Sequence, residues 1–256
     1  MSQSEPSALL DIDGPVATIT LNRPEAYNAI GLPEARHLET LLAQIQSAPD
    51  VRVVVIRGNG PAFCAGGDIR CFVAHLDDIE TMARELLGAL NRFLLALRDG
   101  PYLLLTSVHG AAAGAGFSLA ALGDICIAAD NARFTAAYNR LGVTPDGGGS
   151  IGVTERVGPR KALELFLAAG SIDAAEALRL GLVNQVAPAD QLEAVTFDMA
   201  QRLARNASDV ILRTKRLVQQ AARTPAAEQL EAELEAMVAS MKTAAFREAV
   251  ARFVKK

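Results

Sequence analysis

The sequence predicts an α/β fold built on largely parallel sheets. Three observations carry this expectation. The strands read as continuous apolar runs, "VRVVVIRG", "LLLTSVHG" and "DICIAAD", rather than as in-out alternations, which is the pattern of strands covered on both faces. Helical periodicity separates them, and such alternation implies crossover connections. From Pro188 onward the chain changes to helix alone, rich in Ala, Leu, Glu and Arg.

Taken in order, "ALLDIDGPVATITL" predicts two strands around an Asp13-Gly14 turn. "PEARHLETLLAQIQSA" predicts a helix with Leu38, Leu41, Leu42 and Ile45 on one face. The strand "VRVVVIRG" is followed by a loop of small residues, "GPAFCAGGDI" (Gly60 to Ile69), and then by the apolar helix "LLGALNRFLLAL". The strand "LLLTSVHG" hands over to the small-residue turn Gly114, Ala115 and Gly116, which runs into a further helix. The expected division is a core over residues 1–187 and a helical region over 188–256, with no Pro/Gly/Ser-rich linker between them.

Composition narrows the function classes. The chain has 256 residues, 50% hydrophobic and 21% charged, enough for one large cored domain. Its net charge is −4 and its Lys and Arg residues are dispersed, which speaks against a nucleic-acid partner. The first six residues are polar, and no run reaches the roughly 18 apolar residues of a membrane span, so a cytoplasmic protein is expected. Cys64, Cys71 and Cys126 form no CxxC pair and read as free thiols. His37, His75 and His109 lack metal-ligand spacing, so no metal is expected; His37 and His75 read as surface residues and His109 as a hydrogen-bonded structural one.

The chemistry gathers in the two small-residue loops. Where a strand and loop hand over to a helix, backbone N–H groups stand exposed and aligned with the positive end of the helix dipole. Such a place favours negative charge developing on an oxygen. Two such loops, one at Gly60 to Ile69 and one at Gly114 to Gly116, bring two donors to one oxyanion; either alone is ordinary close packing.

Together with "ITLNRPEAYNAI" and "RLGVTPDGGGSIGVTERVGPRKALELFLAAGSIDAAEALRLGLVNQV", these loops make the chain resemble the enoyl-CoA hydratase/isomerase, or crotonase, family from about Leu10 to the C-terminus. The resemblance implies a spiral of ββα units with a C-terminal helical trimerisation region, assembled as a homotrimer or a dimer of trimers. It implies acyl-CoA substrates, with coenzyme A as part of the substrate and no other cofactor. The thioester oxygen then sits between the N–H groups of Gly67 and Ala115. The adenine end of CoA lies along Cys64, Ala65 and Gly66, flanked by Asp68, Ile69 and Gly114, with Arg23 a candidate for the CoA phosphates or a plain loop residue. Asp68 also reads as a helix cap, Asp124 as a support behind the second loop, and Lys255 and Lys256 as basic residues near CoA or a solvated end.

An oxyanion hole fixes a class of intermediate, and the acids and bases around it choose the reaction. At the two positions where the family's hydratases carry glutamates, this chain has Ser118 and Tyr138. Neither is a neutral-pH base, since a tyrosine titrates near pH 10 and a serine is far weaker, so ordinary hydration is disfavoured. Asp146, in "GVTPDGGGS", stands where Asp-dependent isomerases of the family place their acid, the ring epoxide isomerases of phenylacetate catabolism among them. One carboxylate serves an allylic isomerisation by taking a proton at one carbon and returning it two carbons away. Helix capping is the alternative duty for Asp146. The family's aryl-CoA dehalogenases use an Asp here as a nucleophile, beside an aromatic residue that matches Tyr138, but their catalytic His falls near Asn91. The leading expectation is an acyl-CoA isomerase of fatty-enoyl or phenylacetate-derived thioesters. The alternatives are a hydratase of atypical mechanism and a CoA-binding protein with little activity.

Overall fold

The computed structural model describes residues 5–168 and 170–254, and its chain opens with the expected hairpin. Strand β1 (Ala8–Asp13) pairs antiparallel with β2 (Val16–Leu21), with Asp13 opposite Val16. The two central turn residues are therefore Gly14 and Pro15, one position on from the Asp13-Gly14 expected. Gly14 has φ +54°, the sign a type II′ turn needs at its first central residue. Helix α1 (Leu32–Gln46) buries Ala35, Leu38, Leu41, Leu42 and Ile45, the face its periodicity marks.

Next come β3 (Val53–Gly58), α2 (Ile69–Ala74), α3 (Ile79–Asp99), β4 (Leu103–Val108) and β5 (Ala111–Ala113). They are followed by α4 (Ala115–Leu122), β6 (Ile125–Ala129), β7 (Arg133–Thr135), α5 (Gly149–Leu167), β8 (Ser171–Asp173), α6 (Ala174–Arg179) and β9 (Gln185–Ala187). A large sheet has the order β1-β2-β3-β4-β6-β9, and a small one has β5-β7-β8. Beyond the opening hairpin every pairing in the large sheet is parallel. The chain therefore winds as a repeated step. A strand joins the large sheet (β4, then β6), the next joins the small sheet (β5, then β7), and a helix follows (α4, then α5).

Both faces of the central strands are covered, which explains their unbroken apolar runs. One face packs under α1, α3 and α4 through residues such as Leu38, Ile56, Phe93, Leu97 and Phe117. The other, with Val53, Val55, Leu105 and Ile127, packs against Leu192, Ala200 and Ala204 of α7 (Leu192–Ala204). Helices α8 (Ser208–Ala221), α9 (Ala226–Met241) and α10 (Ala244–Val254) complete the described chain. Lys215 ties α8 to the core, with its buried Nζ 2.7 Å from Asp124 Oδ2 and donating to the carbonyls of Leu97 and Tyr102. Lys255 and Lys256 lie outside the described residues. Among the described residues no helix is long and apolar enough to cross a membrane.

Candidate active site

The loop after β3 and the turn before α4 are joined by backbone hydrogen bonds. Cys64 N–H donates to Ala111 O at 3.1 Å, and Ala113 N–H donates to Cys64 O at 2.9 Å. Gly66 then passes so close that a Cβ on it would lie 2.7 Å from Ala113 O and 3.2 Å from Ala115 N, and its φ is +98°. Only glycine meets both demands.

This approach leaves two backbone donors side by side. Ile30 N–H donates to Gly66 O and Asp68 N–H donates to Ile30 O, so the Gly67 N–H between them has no protein acceptor among the described residues. Ala115 is the first residue of α4, where an N–H has no intrahelical partner, and its neighbours anchor it: Gly114 N–H to Thr135 O, Ser118 N–H to Gly114 O. The Phe72 ring flanks the first donor, since a Cβ on Gly67 would stand 2.7 Å from its Cζ. All eight residues of α4 are buried, which is why its sequence carries no charge and only one polar side chain, Ser118.

Beside the donors the structure joins three residues that lie far apart in sequence. Tyr138 Oη donates to Asp146 Oδ1 at 2.8 Å. Ser118 Oγ lies 2.6 Å from Tyr138 Oη. With the phenolic proton committed to the carboxylate, the serine hydroxyl is the donor in that pair. Ser118 and Tyr138 are buried, and Asp146 is half-buried. Ser118 is thus more than a small packing residue, the role that its size alone would suggest. Gly149 makes room for it, because a side chain there would collide with Ser118 Oγ.

The Asp146 carboxyl does not cap α5. The N-cap of that helix is Gly148, and only the Asp146 backbone carbonyl takes part in the turn, accepting from Gly149 N–H. Burial raises the Asp146 carboxyl above the usual aspartate range, opposed by the Tyr138 hydrogen bond, which favours the anion. Burial first, and then the neighbouring Asp146 charge, push the Tyr138 phenol upward, so it stays a protonated donor. Burial also pushes the Cys64 thiol up to about 12, with the Gly66 N–H pulling it down and the Asp146 charge adding to the rise. Cys64 is a buried, neutral thiol.

The remaining residues divide between the site and its frame. Asp68 caps α2, accepting from Arg70 N–H at 3.0 Å, as its position suggested. Arg23 is tied down by Asp68 at 3.1 Å, Glu34 at 3.3 Å and the Ala29 carbonyl. Ala65 and Ile69 are exposed along the first loop. Asp124 sits at the opposite end of α4 from Ala115 and accepts from Leu104 N–H while pairing with Lys215. It therefore braces β4 and α8 rather than the second donor loop. His109 pairs with the Gly60 carbonyl at 2.8 Å, a structural role as expected, while His37 and His75 are half-buried rather than free on the surface. Asn91 is exposed. Of the apolar stripe on α3, Leu94 reaches the site, 3.8 Å from where a Gly147 side chain would begin; Leu86, Leu90 and Phe93 are core.

Two large clefts lie elsewhere. One of about 580 Å³ runs between α3, α5 and α8, lined by Arg98, Asp124, Glu155 and Lys215. The other, about 510 Å³, lies on the α7 side of the large sheet beside Thr18, Arg57 and Phe197. Gly67 and Ala115 line neither. Among the described residues no three His, Cys, Asp or Glu side chains are grouped to hold a metal ion.

Comparison with known proteins identifies the family and the fold. Residues 11–256 match the profile of the family described as enoyl-CoA hydratase/isomerase. The trans-2-decenoyl-[acyl-carrier-protein] isomerase of Streptococcus mutans is 30% identical over 97% of this chain and 95% of its own. The short-chain-enoyl-CoA hydratase of Clostridium acetobutylicum is 30% identical over 98% of this chain and 95% of its own. The crystal structure of an enoyl-CoA hydratase from Polaromonas sp. JS666 superposes with a TM-score of 0.91 at 31% identity, covering 97% of this chain and 96% of that one.

Proposed function

Because this chain belongs to the enoyl-CoA hydratase/isomerase family, we propose that it isomerises acyl-CoA thioesters through an oxyanion-held enolate, with Asp146 as its single base. The observation that carries the reading is the Asp146 carboxylate. Its Oδ1 is held by Tyr138, no other side chain hydrogen bonds to it among the described residues, and the Gly147 that follows it packs against Ser118 and the Ala115 carbonyl at the start of α4. In the proposed reaction Oδ2 takes a proton from the carbon next to the thioester of a 3-enoyl substrate. The electron pair moves toward the carbonyl oxygen, where the N–H groups of Gly67 and Ala115 hold the charge. The protonated Asp146 then returns the proton two carbons away, and the double bond ends in conjugation with the thioester. Ring epoxides of the phenylacetyl-CoA type ask for the same enolate stabilisation and form a second substrate class to assay.

The first loop, Cys64 to Gly66 with Asp68 and Ile69, exposed at Ala65 and Ile69, is proposed to carry the CoA chain through its backbone, with Gly114 across from it. Arg23 reaches the CoA phosphates in this reading only if its pairing with Glu34 and Asp68 loosens. No cofactor beyond the substrate's own coenzyme A enters the scheme, and the enzyme is expected to act in the cytoplasm.

Hydration is the second reading, favoured by the name of the Clostridium relative. Against it, neither Ser118 nor Tyr138 supplies a carboxylate to activate water. Incubation with 3-enoyl-CoA and 2-enoyl-CoA, followed by ultraviolet absorbance and mass, separates the two. Conjugation of the 3-enoyl substrate without water addition supports the isomerase, and hydration of the 2-enoyl substrate overturns it. No reaction with either thioester or with the ring epoxide favours a CoA-binding protein.

A further inference from the structure

We propose that Ser118 and Tyr138 work as a coupled pair of positioning residues that grip Oδ1 of Asp146 and so aim Oδ2 at the substrate. The inference rests on the reading of Asp146 as the base, and deepens it: the two positions that lack hydratase glutamates are wired to the acid that replaces them. Three features support a built device rather than a chance contact. The contacts run in one line, Ser118 Oγ to Tyr138 Oη at 2.6 Å and Tyr138 Oη to Asp146 Oδ1 at 2.8 Å. Each hydroxyl has one proton, so the order of donors is fixed: serine to tyrosine, tyrosine to carboxylate. The two hydroxyl-bearing residues are sealed from water. Ser118 is 0% exposed and Tyr138 6%, with the Phe166 ring 6.2 Å from the Tyr138 ring and Phe117 behind it at 6.3 Å from Phe166.

The surroundings leave the carboxylate dependent on this line. The turn at Tyr138–Leu141 brings Tyr138, and the first donor loop brings the neutral Cys64 thiol. Helix α4 contributes the uncharged Ser118, α3 contributes Leu94, and the start of α5 contributes glycines 147 to 149. No cationic side chain hydrogen bonds to Asp146 among the described residues, so the Tyr138 hydroxyl, backed by Ser118, is its main source of anion stabilisation, with a smaller contribution from its own backbone N–H. A donor removed from a buried carboxylate favours the protonated form, which moves the onset of base activity to higher pH.

The test compares the native enzyme, Tyr138→Phe and Ser118→Ala in two readouts. One is the pH profile of 3-enoyl-CoA isomerisation, and the other is direct titration of the Asp146 carboxyl by carbon NMR in protein labelled at aspartate. Expected for Tyr138→Phe is a kcat loss of about 10- to 100-fold at neutral pH with KM little changed. Its acid limb and the NMR titration should both move to higher pH by about one to two pH units. Ser118→Ala keeps the tyrosine-carboxylate bond and is expected to move both in the same direction by less. The double variant should shift no further than Tyr138→Phe, because the serine acts through the tyrosine. An unmoved NMR titration in a folded Tyr138→Phe protein overturns the proposal even if Asp146→Asn is inactive. Full activity of Asp146→Asn overturns the base assignment instead, whatever the titration does.

Discussion

A partly buried carboxyl that must ionise to work destabilises the protein that holds it, and Asp146 is placed to show this. Burial raises its titration above the ordinary value near 3.9 that it keeps in the unfolded chain. Between those two values the unfolded state binds fewer protons than the folded one, so stability falls as pH rises through the window. Urea unfolding of the native protein against Asp146→Asn is expected to show the gap between their midpoints changing across that window, with the native protein losing ground as pH rises, and constant above it. A pH-independent gap would mean that Asp146 titrates like any exposed aspartate. At this scale the sequence was partly legible. Gly67 and Ala115 were readable as donors because small residues before a helix have one backbone consequence. The hydroxyl line was not, since its members are separated by 20 and 8 positions and only the folded chain brings them together. Gly149 carried a trace of it, as the glycine whose missing side chain admits Ser118.

Among the elements, the two donor loops succeed or fail together. They share the backbone bonds between Cys64 and the 111–113 strand, and Gly66 is the point of closest approach. Gly66→Ala forces a Cβ against Ala113 O in a left-handed conformation, at an expected cost of about 1–3 kcal/mol in stability. Because the push also separates the donors, kcat should fall by about ten-fold or more while the protein stays folded, checked by circular dichroism beside the assay. Native kcat in a folded Gly66→Ala protein would mean that the loops are not coupled. The long strands were legible as unbroken apolar runs of five residues or so, and α1 by its helical periodicity. Strands β5, β7 and β8 have three residues each, too few for any period to register, and with them the small sheet was invisible. Helix α5 is broken at Gly158, φ +74°, before Pro159.

The whole molecule ends in helices whose apolar residues are only partly covered. Leu230, Leu234 and Met237 of α9 are 65%, 53% and 57% exposed, and Val218 of α8 is 71% exposed. Exposed apolar residues of this size at i, i+4 and i+7 on α9 ask for a partner surface, and we propose self-association as a trimer or dimer of trimers. Leu234→Glu is expected to lower the mass seen by sedimentation equilibrium toward that of one chain, and an unchanged mass would remove α9 from the interface. The winding of the core was legible as strand-helix alternation, whereas the packing of α7 onto the large sheet was not, since a helix-only tail gives no hint of which face it covers. The central claim concerns one proton carried by one carboxylate. Its most direct measurement follows 3-enoyl-CoA bearing deuterium beside the thioester, with native protein and Asp146→Asn, by mass spectrometry of the product. The expected result is conjugated 2-enoyl-CoA with deuterium carried two carbons along and no added water, formed about 10²- to 10⁴-fold more slowly by the variant. A product heavier by one water, or a variant as fast as the native enzyme, would contradict it.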